Sequence, residues 1–151
     1  MKQPAHPHVY KRILVPIDFS ESSKKALGSS ITLAKTFQAE LVLMYVVETA
    51  VYPADFGFGQ VTVPGIEREM TERGEAELGK LVKSQIAGAV PSRTLVCTGK
   101  PFLEIIKVAE EEKVDLIVIA THGHTGVEHI LFGSNAEKVV RKAPCDVLVV
   151  R

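Results

Sequence analysis

The run DLIVIATHGHTGVEHILFGSNAEKVVRKAPC, Asp115 to Cys145, decides how this chain is to be read. It opens on an unbroken apolar segment, Leu116 to Ala120, of strand length, with charge before it and glycine after it. A loop with Gly123, Gly126 and Gly133 follows. Ser134 and Asn135 then precede Ala136, Val139, Val140 and Ala143, whose i, i+3, i+4, i+7 spacing marks one apolar helix face. Strand, glycine loop and helix N-terminus are the parts of an anion site. The first helical turn leaves N–H groups without intrahelical partners and carries partial positive charge, so phosphate is the expected guest.

Composition narrows the alternatives. The chain has 151 residues, and its 46% hydrophobic content supplies the core of one domain, expected over 11–151 behind a flexible polar tail at 1–10. Eighteen basic and eighteen acidic residues cancel with no basic stripe, which argues against a nucleic-acid surface. The longest apolar run, Leu41 to Val47, is far too short to span a bilayer, and the N-terminus carries no signal core. Cys97 and Cys145 lack metal-ligand spacing and fit reduced thiols, so the expected compartment is the cytoplasm.

Working outward, Ile13 to Ile17 reads as a first buried strand, with Pro16 near its end because proline cannot donate to a ladder. Ser20 or Ser22 is placed to cap the next helix, whose inward face is Ala26, Leu27, Ile31 and Ala34. Leu41 to Val47 is the second strand. The stretch from Glu48 to Pro64 breaks the rhythm with prolines, glycines and aromatics. It reads as a surface excursion or, alternatively, as a ligand lid or partner contact. A helix resumes near Ile66 with Met70, Leu78, Leu81, Val82 and Ile86 on one face, weakened by Gly74 and Gly79. Arg93 to Cys97 is the third strand. Pro101 opens a helix with Phe102, Ile105, Ile106 and Ala109 inward, and Asp146 to Arg151 closes the chain as a fifth strand. The alternation predicts a doubly wound α/β domain with a five-stranded parallel sheet. Ligands of such sheets bind at the C-terminal strand ends where the strand order reverses, and there Asp18 would face the glycine loop. Its carboxylate could accept hydrogen bonds from a base or sugar, or help hold a metal on phosphate.

The same residues resemble the universal stress protein family, whose ATP-binding branch carries Gly-x2-Gly-x9-Gly-Ser/Thr after the fourth strand. Here the match runs Ala120-Thr-His-Gly123, nine residues, then Gly133-Ser134; starting from Gly123 and Gly126 would leave only six. Ile13-LVPIDFSE, Leu41-VLMYVV, Gly99-Lys-Pro and Ala143-PCDVLVV extend the likeness over nearly the whole chain. The resemblance implies strand order 3-2-1-4-5, a Rossmann-like site for ATP with Mg or Mn, and a homodimer through the C-terminal strand 146–151. It would put Pro16, Ile17 and Asp18 by the adenine and ribose and Leu41 beside the base. Ile119, Ala120, Gly123 and His124 would lie along the ribose and phosphates, and Gly133, Ser134, Asn135 and Ala136 would donate to the phosphates.

Two departures stand out. Ala120 replaces the first motif glycine, losing freedom at positive φ, and His124 stands where many relatives have Arg or Lys, so its charge depends on pH. His122, His124 and His129 lack zinc spacing. Ser134 reads equally as an ordinary helix N-cap. With no P-loop lysine, and with His122 and His124 lacking an evident orienting partner, no catalytic residue is assigned. The expected function is therefore ATP-dependent regulation in the universal stress response. A slow ATPase using Asp18 and a metal, or an interaction module that binds no nucleotide, are the alternatives.

Overall fold

The computed structural model describes residues 9–48, 64–122 and 132–151. Gly123, His124, Gly126, His129 and most of segment 48–64 lie outside them. The elements are β1 (Arg12–Pro16), α1 (Glu21–Phe37), β2 (Glu40–Val47), α2 (Pro64–Leu81), β3 (Ser92–Thr98), α3 (Pro101–Glu111), β4 (Leu116–Ala120), α4 (Ser134–Lys142) and β5 (Asp146–Val150). All strand pairings are parallel and the order is β3-β2-β1-β4-β5, as expected.

The strands are apolar on both faces because helices cover both. Along β1, Ile13 and Val15 join a core with Leu27, Leu78 and Leu81 of α1 and α2. Leu14 points the other way, to Ile105, Ala136 and Val139 of α3 and α4. Each fully buried Leu, Ile or Val among them contributes about 1.5–3 kcal/mol relative to exposure.

β1 pairs with β2 along its whole length, but with β4 only at Ile13–Leu116 and Leu14–Ile117. The reason is Pro16. Ile17 N–H donates to Met44 O at 2.8 Å, so odd residues of β1 address β2 and even ones address β4. Two residues beyond Leu14–Ile117, the register sets the Pro16 nitrogen against the Val118 carbonyl, and proline has no hydrogen to give. The two central strands are untied at their C-terminal ends, where the order reverses.

The helices largely follow the sequence periodicity, with three differences. α2 begins at Pro64, and exposure falls along its apolar face from Ile66 at 56% and Met70 at 39% to Leu78 at 0%. Its first turns project past the sheet, so Met70 is not a core residue. Val140 is likewise exposed, because Ala136 and Val139 already fill the space under α4. Gly74 is not merely a weak point: a Cβ there would lie 2.5 Å from Tyr45 Cδ1, so the missing side chain lets the Tyr45 ring rest on the helix. After Leu81 the chain widens into a π-helical turn, Val82–Ile86, before β3. Tyr10, expected in the tail, is held edge-on to Phe37 and donates to Asp146 Oδ2 at 3.0 Å.

The N-terminal edge of the sheet is fastened by charge. Asp115 Oδ2 accepts from the N–H groups of Lys11 and Arg12, both at 2.8 Å, and Glu40 bridges Arg12 and Arg93. These side chains are about one-third exposed, so water screens the pairs and each adds little. Burial pushes the Cys145 thiol up to about 11, and Cys97 is raised for the same first reason.

Helix propensity and close packing make opposite predictions at two glycines. Gly28 in α1 has nothing within 4 Å of a built Cβ, so Gly28→Ala should stabilise the protein by roughly 1 kcal/mol. Gly74→Ala should destabilise it despite the same propensity gain, and Tyr45→Ala in that background should recover part of the loss. Thermal melts of the three variants check this; a stabilising Gly74→Ala would refute the close approach.

Candidate functional site

A crevice of about 700 Å³ lies over the untied ends of β1 and β4. Its floor is Pro16 to Phe19 and Ile119 to His122. One wall is the first turn of α4, Ser134 to Ala136, and the other is the face of α2 around Met70, Arg73 and Gly74. The end of β2, Met44 to Val46, lies between them.

On the β1 side, Asp18 shapes the turn into α1. Its Oδ1 accepts from Ser20 N–H at 3.0 Å and from the Ser20 hydroxyl at 2.5 Å, and Ser20 Oγ caps α1 by accepting from Ser23 N–H at 3.2 Å. Phe19, between them, has φ 65°, a left-handed conformation that costs a bulky residue free energy. Its ring packs against Tyr45 at 4.9 Å between centroids, and Tyr45 in turn meets Gly74.

On the β4 side, Thr121 holds the glycine motif together. Its N–H donates to Val150 O at 2.9 Å and its carbonyl accepts from Gly133 N–H at 2.6 Å. A Cβ on Gly133 would sit 2.9 Å from that carbonyl. The glycine is required by this close approach, since its φ of −67° suits any residue. Two expectations are refined here. Gly133, not Ser134, is the N-cap of α4, so Ser134 is the first helical residue, and the Gly133 N–H is already committed to Thr121. The first intrahelical bond runs from Glu137 N–H to Gly133 O at 3.0 Å. The N–H groups of Ser134, Asn135 and Ala136 therefore have no acceptor within the helix, and a glycine cap has no side chain to offer them. Thr121 Oγ1 lies 2.9 Å from His122 Nδ1, an orienting contact for that imidazole.

β2 supplies a donor and an acceptor side by side. The Val46 N–H and C=O, two residues past Met44, turn toward the β1 side, where pairing has ended at Ile17. They have no main-chain partner among the described residues.

The model of the universal stress protein family matches residues 9–151. The chain belongs to the universal stress protein family. Universal stress protein MJ0531 of Methanocaldococcus jannaschii is 37% identical over 147 residues, covering 95% of this chain and 84% of its own. Universal stress protein YxiE of Bacillus subtilis is 34% identical, covering 95% and 100%. Among solved structures, MJ0577 superposes with TM-score 0.81 at 30% identity, covering 94% of this chain and 96% of its own. A universal stress protein solved in complex with cAMP superposes with TM-score 0.62 at 25% identity, covering 95% and 98%.

The fold of this universal stress protein brings Pro16, Ile17, Asp18, Ile119, Ala120, Gly133, Ser134, Asn135 and Ala136 to one crevice. Leu41 is not brought there: it is fully buried at the N-terminal end of β2, opposite Ile13. Gly123 and His124 fall outside the described residues. Sequence reading missed Met44, Tyr45 and Val46, although strand direction points to them, since parallel strands share the crevice at their C-terminal ends. It also missed Thr121 and Arg73. For Arg73, one polar position on an amphipathic helix, the sequence holds no signal.

Gly133→Ala should break the bond to Thr121 and displace the start of α4. The expected loss is about 1–3 kcal/mol, read as a lower midpoint in urea. Unchanged stability would mean that the close approach is not required.

Proposed function

We propose that this chain is an adenine-nucleotide-binding regulatory protein of the universal stress response, taking ATP in the crevice and acting as a homodimer. The observation that carries this reading is the first turn of α4, whose three N–H groups open on the crevice with the helix dipole behind them. The Ser134 hydroxyl adds a further donor. The Val46 main chain supports adenine in particular: its N–H suits the ring nitrogen N1 and its C=O the exocyclic amine. Asp18, across from α4, would meet the ribose or a cation. Among the described residues no group of three His, Cys, Asp or Glu side chains could hold a metal. Mg²⁺ or Mn²⁺ would therefore come on the phosphates, with Asp18 and water completing its shell. The cAMP complex of a relative supports the ligand class.

The homodimer reading rests on β5, an edge strand on which Val147, Val149 and Val150 are half-buried and Leu148 is 39% exposed. An unpaired apolar edge invites a symmetric partner. A protein partner reading nucleotide occupancy through segment 48–64 completes the proposal. Slow ATP hydrolysis is the second reading, favoured by the Thr121 contact that orients His122. No helix among the described residues is long and apolar enough to cross a membrane.

Calorimetry of Mg-ATP on nucleotide-free protein tests the site. One saturable site per chain is expected, lost in Gly133→Val/Ser134→Val. Tighter binding at pH 6 than at pH 8, once phosphate titration is accounted for, would implicate His124. Absence of both heat and thermal shift at either pH would refute nucleotide binding. For the assembly, Val147→Lys/Val149→Lys should give monomers or aggregates in sedimentation, and an intact folded dimer would remove β5 as the interface.

A further inference from the structure

Arg12, Arg68, Arg93 and Arg141 each hold a glutamate in an ion pair. Arg73 holds none among the described residues, yet it lines the crevice. Of the acidic residues near it on α2, Glu72 is committed to Arg68 at 2.9 Å and Glu77 to Lys80 at 2.6 Å, so that Glu77 feels Arg73 only as a lesser, longer-range charge. Among the described residues, then, this guanidinium in a ligand crevice makes no ion pair that the fold needs.

Its position gives it one. α4 packs on one face of the sheet and α2 on the other. From β4 across β1 to β2 is two strand spacings, on the order of 10 Å. A phosphoryl group on the first turn of α4 is therefore at the far end of the crevice from Arg73. The lining that Arg73 shares on this side of the crevice suits a flat ring: it includes the Tyr45 ring against Gly74, Met70 and Val46. A guanidinium is planar, weakly hydrated and stacks on π-faces while its N–H groups donate to ring acceptors.

We propose that Arg73 is a specificity-determining residue of this crevice, holding the base end of the nucleotide while α4 holds the phosphoryl end. This rests on the nucleotide reading above and adds to it a contact from α2. The ligand is thereby gripped from both faces of the sheet, which favours a purine nucleotide over either of its halves.

Three probes separate the ends: Mg-ATP, adenosine and inorganic tripolyphosphate, each titrated by calorimetry into wild type, Arg73→Ala and Arg73→Gln. Both variants should keep the wild-type melting temperature, since Arg73 is exposed and makes no ion pair among the described residues. Loss of the guanidinium should weaken ATP and adenosine by a common factor, roughly five- to tenfold, and leave tripolyphosphate unchanged. Arg73→Lys, which keeps the charge without the plane, should recover little. Unaltered ATP affinity in both variants would overturn the role of Arg73 while leaving the nucleotide site standing. Weakened tripolyphosphate with unaltered adenosine would overturn the base-end assignment. A wild type that binds none of the three would sink the nucleotide reading itself, and this inference with it.

Discussion

The crevice of this protein depends on a hydrogen bond that cannot form. At the third even position of β1 the ladder to β4 needs an N–H, and Pro16 has none. The pairing of the two central strands therefore stops at Leu14–Ile117, while β2 stays paired with β1 through Met44 and β5 with β4 through Ala120. The sheet is continuous at its base and untied at one seam. That seam coincides with the point where the strand order reverses, where α1 and α4 depart to opposite faces, so no helix covers it.

Two close approaches then give the opening its walls. Gly133 comes within hydrogen-bonding distance of the Thr121 carbonyl, which ties the start of α4 to the end of β4. With the Gly133 N–H committed there, the next three residues, whose N–H groups have no acceptor within the helix, line the crevice together. On the other side, Gly74 lets Tyr45 rest on α2, and Tyr45 supports Phe19 in its left-handed turn. A methyl group at either glycine would push one wall away from the floor.

Charge is sorted along the strand direction. The N-terminal edge carries the Arg12, Glu40, Arg93 and Glu112 network, in which each charge meets its opposite, and the Asp115 clasp on the main-chain N–H groups of Lys11 and Arg12. The C-terminal edge holds helix N–H groups and Arg73, a cation without an ion pair among the described residues. The first edge holds the strands in register, and the second is left with hydrogen-bonding capacity that a ligand can use.

Most of the architecture was legible in the sequence. Apolar runs such as Leu116 to Ala120 and Leu41 to Val47 admit only strands buried on both faces, and their alternation with helix-period segments forces a parallel, doubly wound sheet. The 3-2-1-4-5 order followed from the family resemblance, and the glycine motif with Asp18 located the crevice. Periodicity could not tell which apolar residues lie past the sheet edge, and Met70 and Val140 are exposed for that reason. Nor could it show that Gly133 is needed for proximity to a carbonyl, that Leu41 is buried away from the crevice, or that Arg73 faces it. The sequence by itself determined which segments are strands and helices, because period and burial are local properties of the chain. Which groups meet across the crevice was decided only by the tertiary structure, because contacts between β2, α2 and α4 depend on packing distances that residue spacing does not encode.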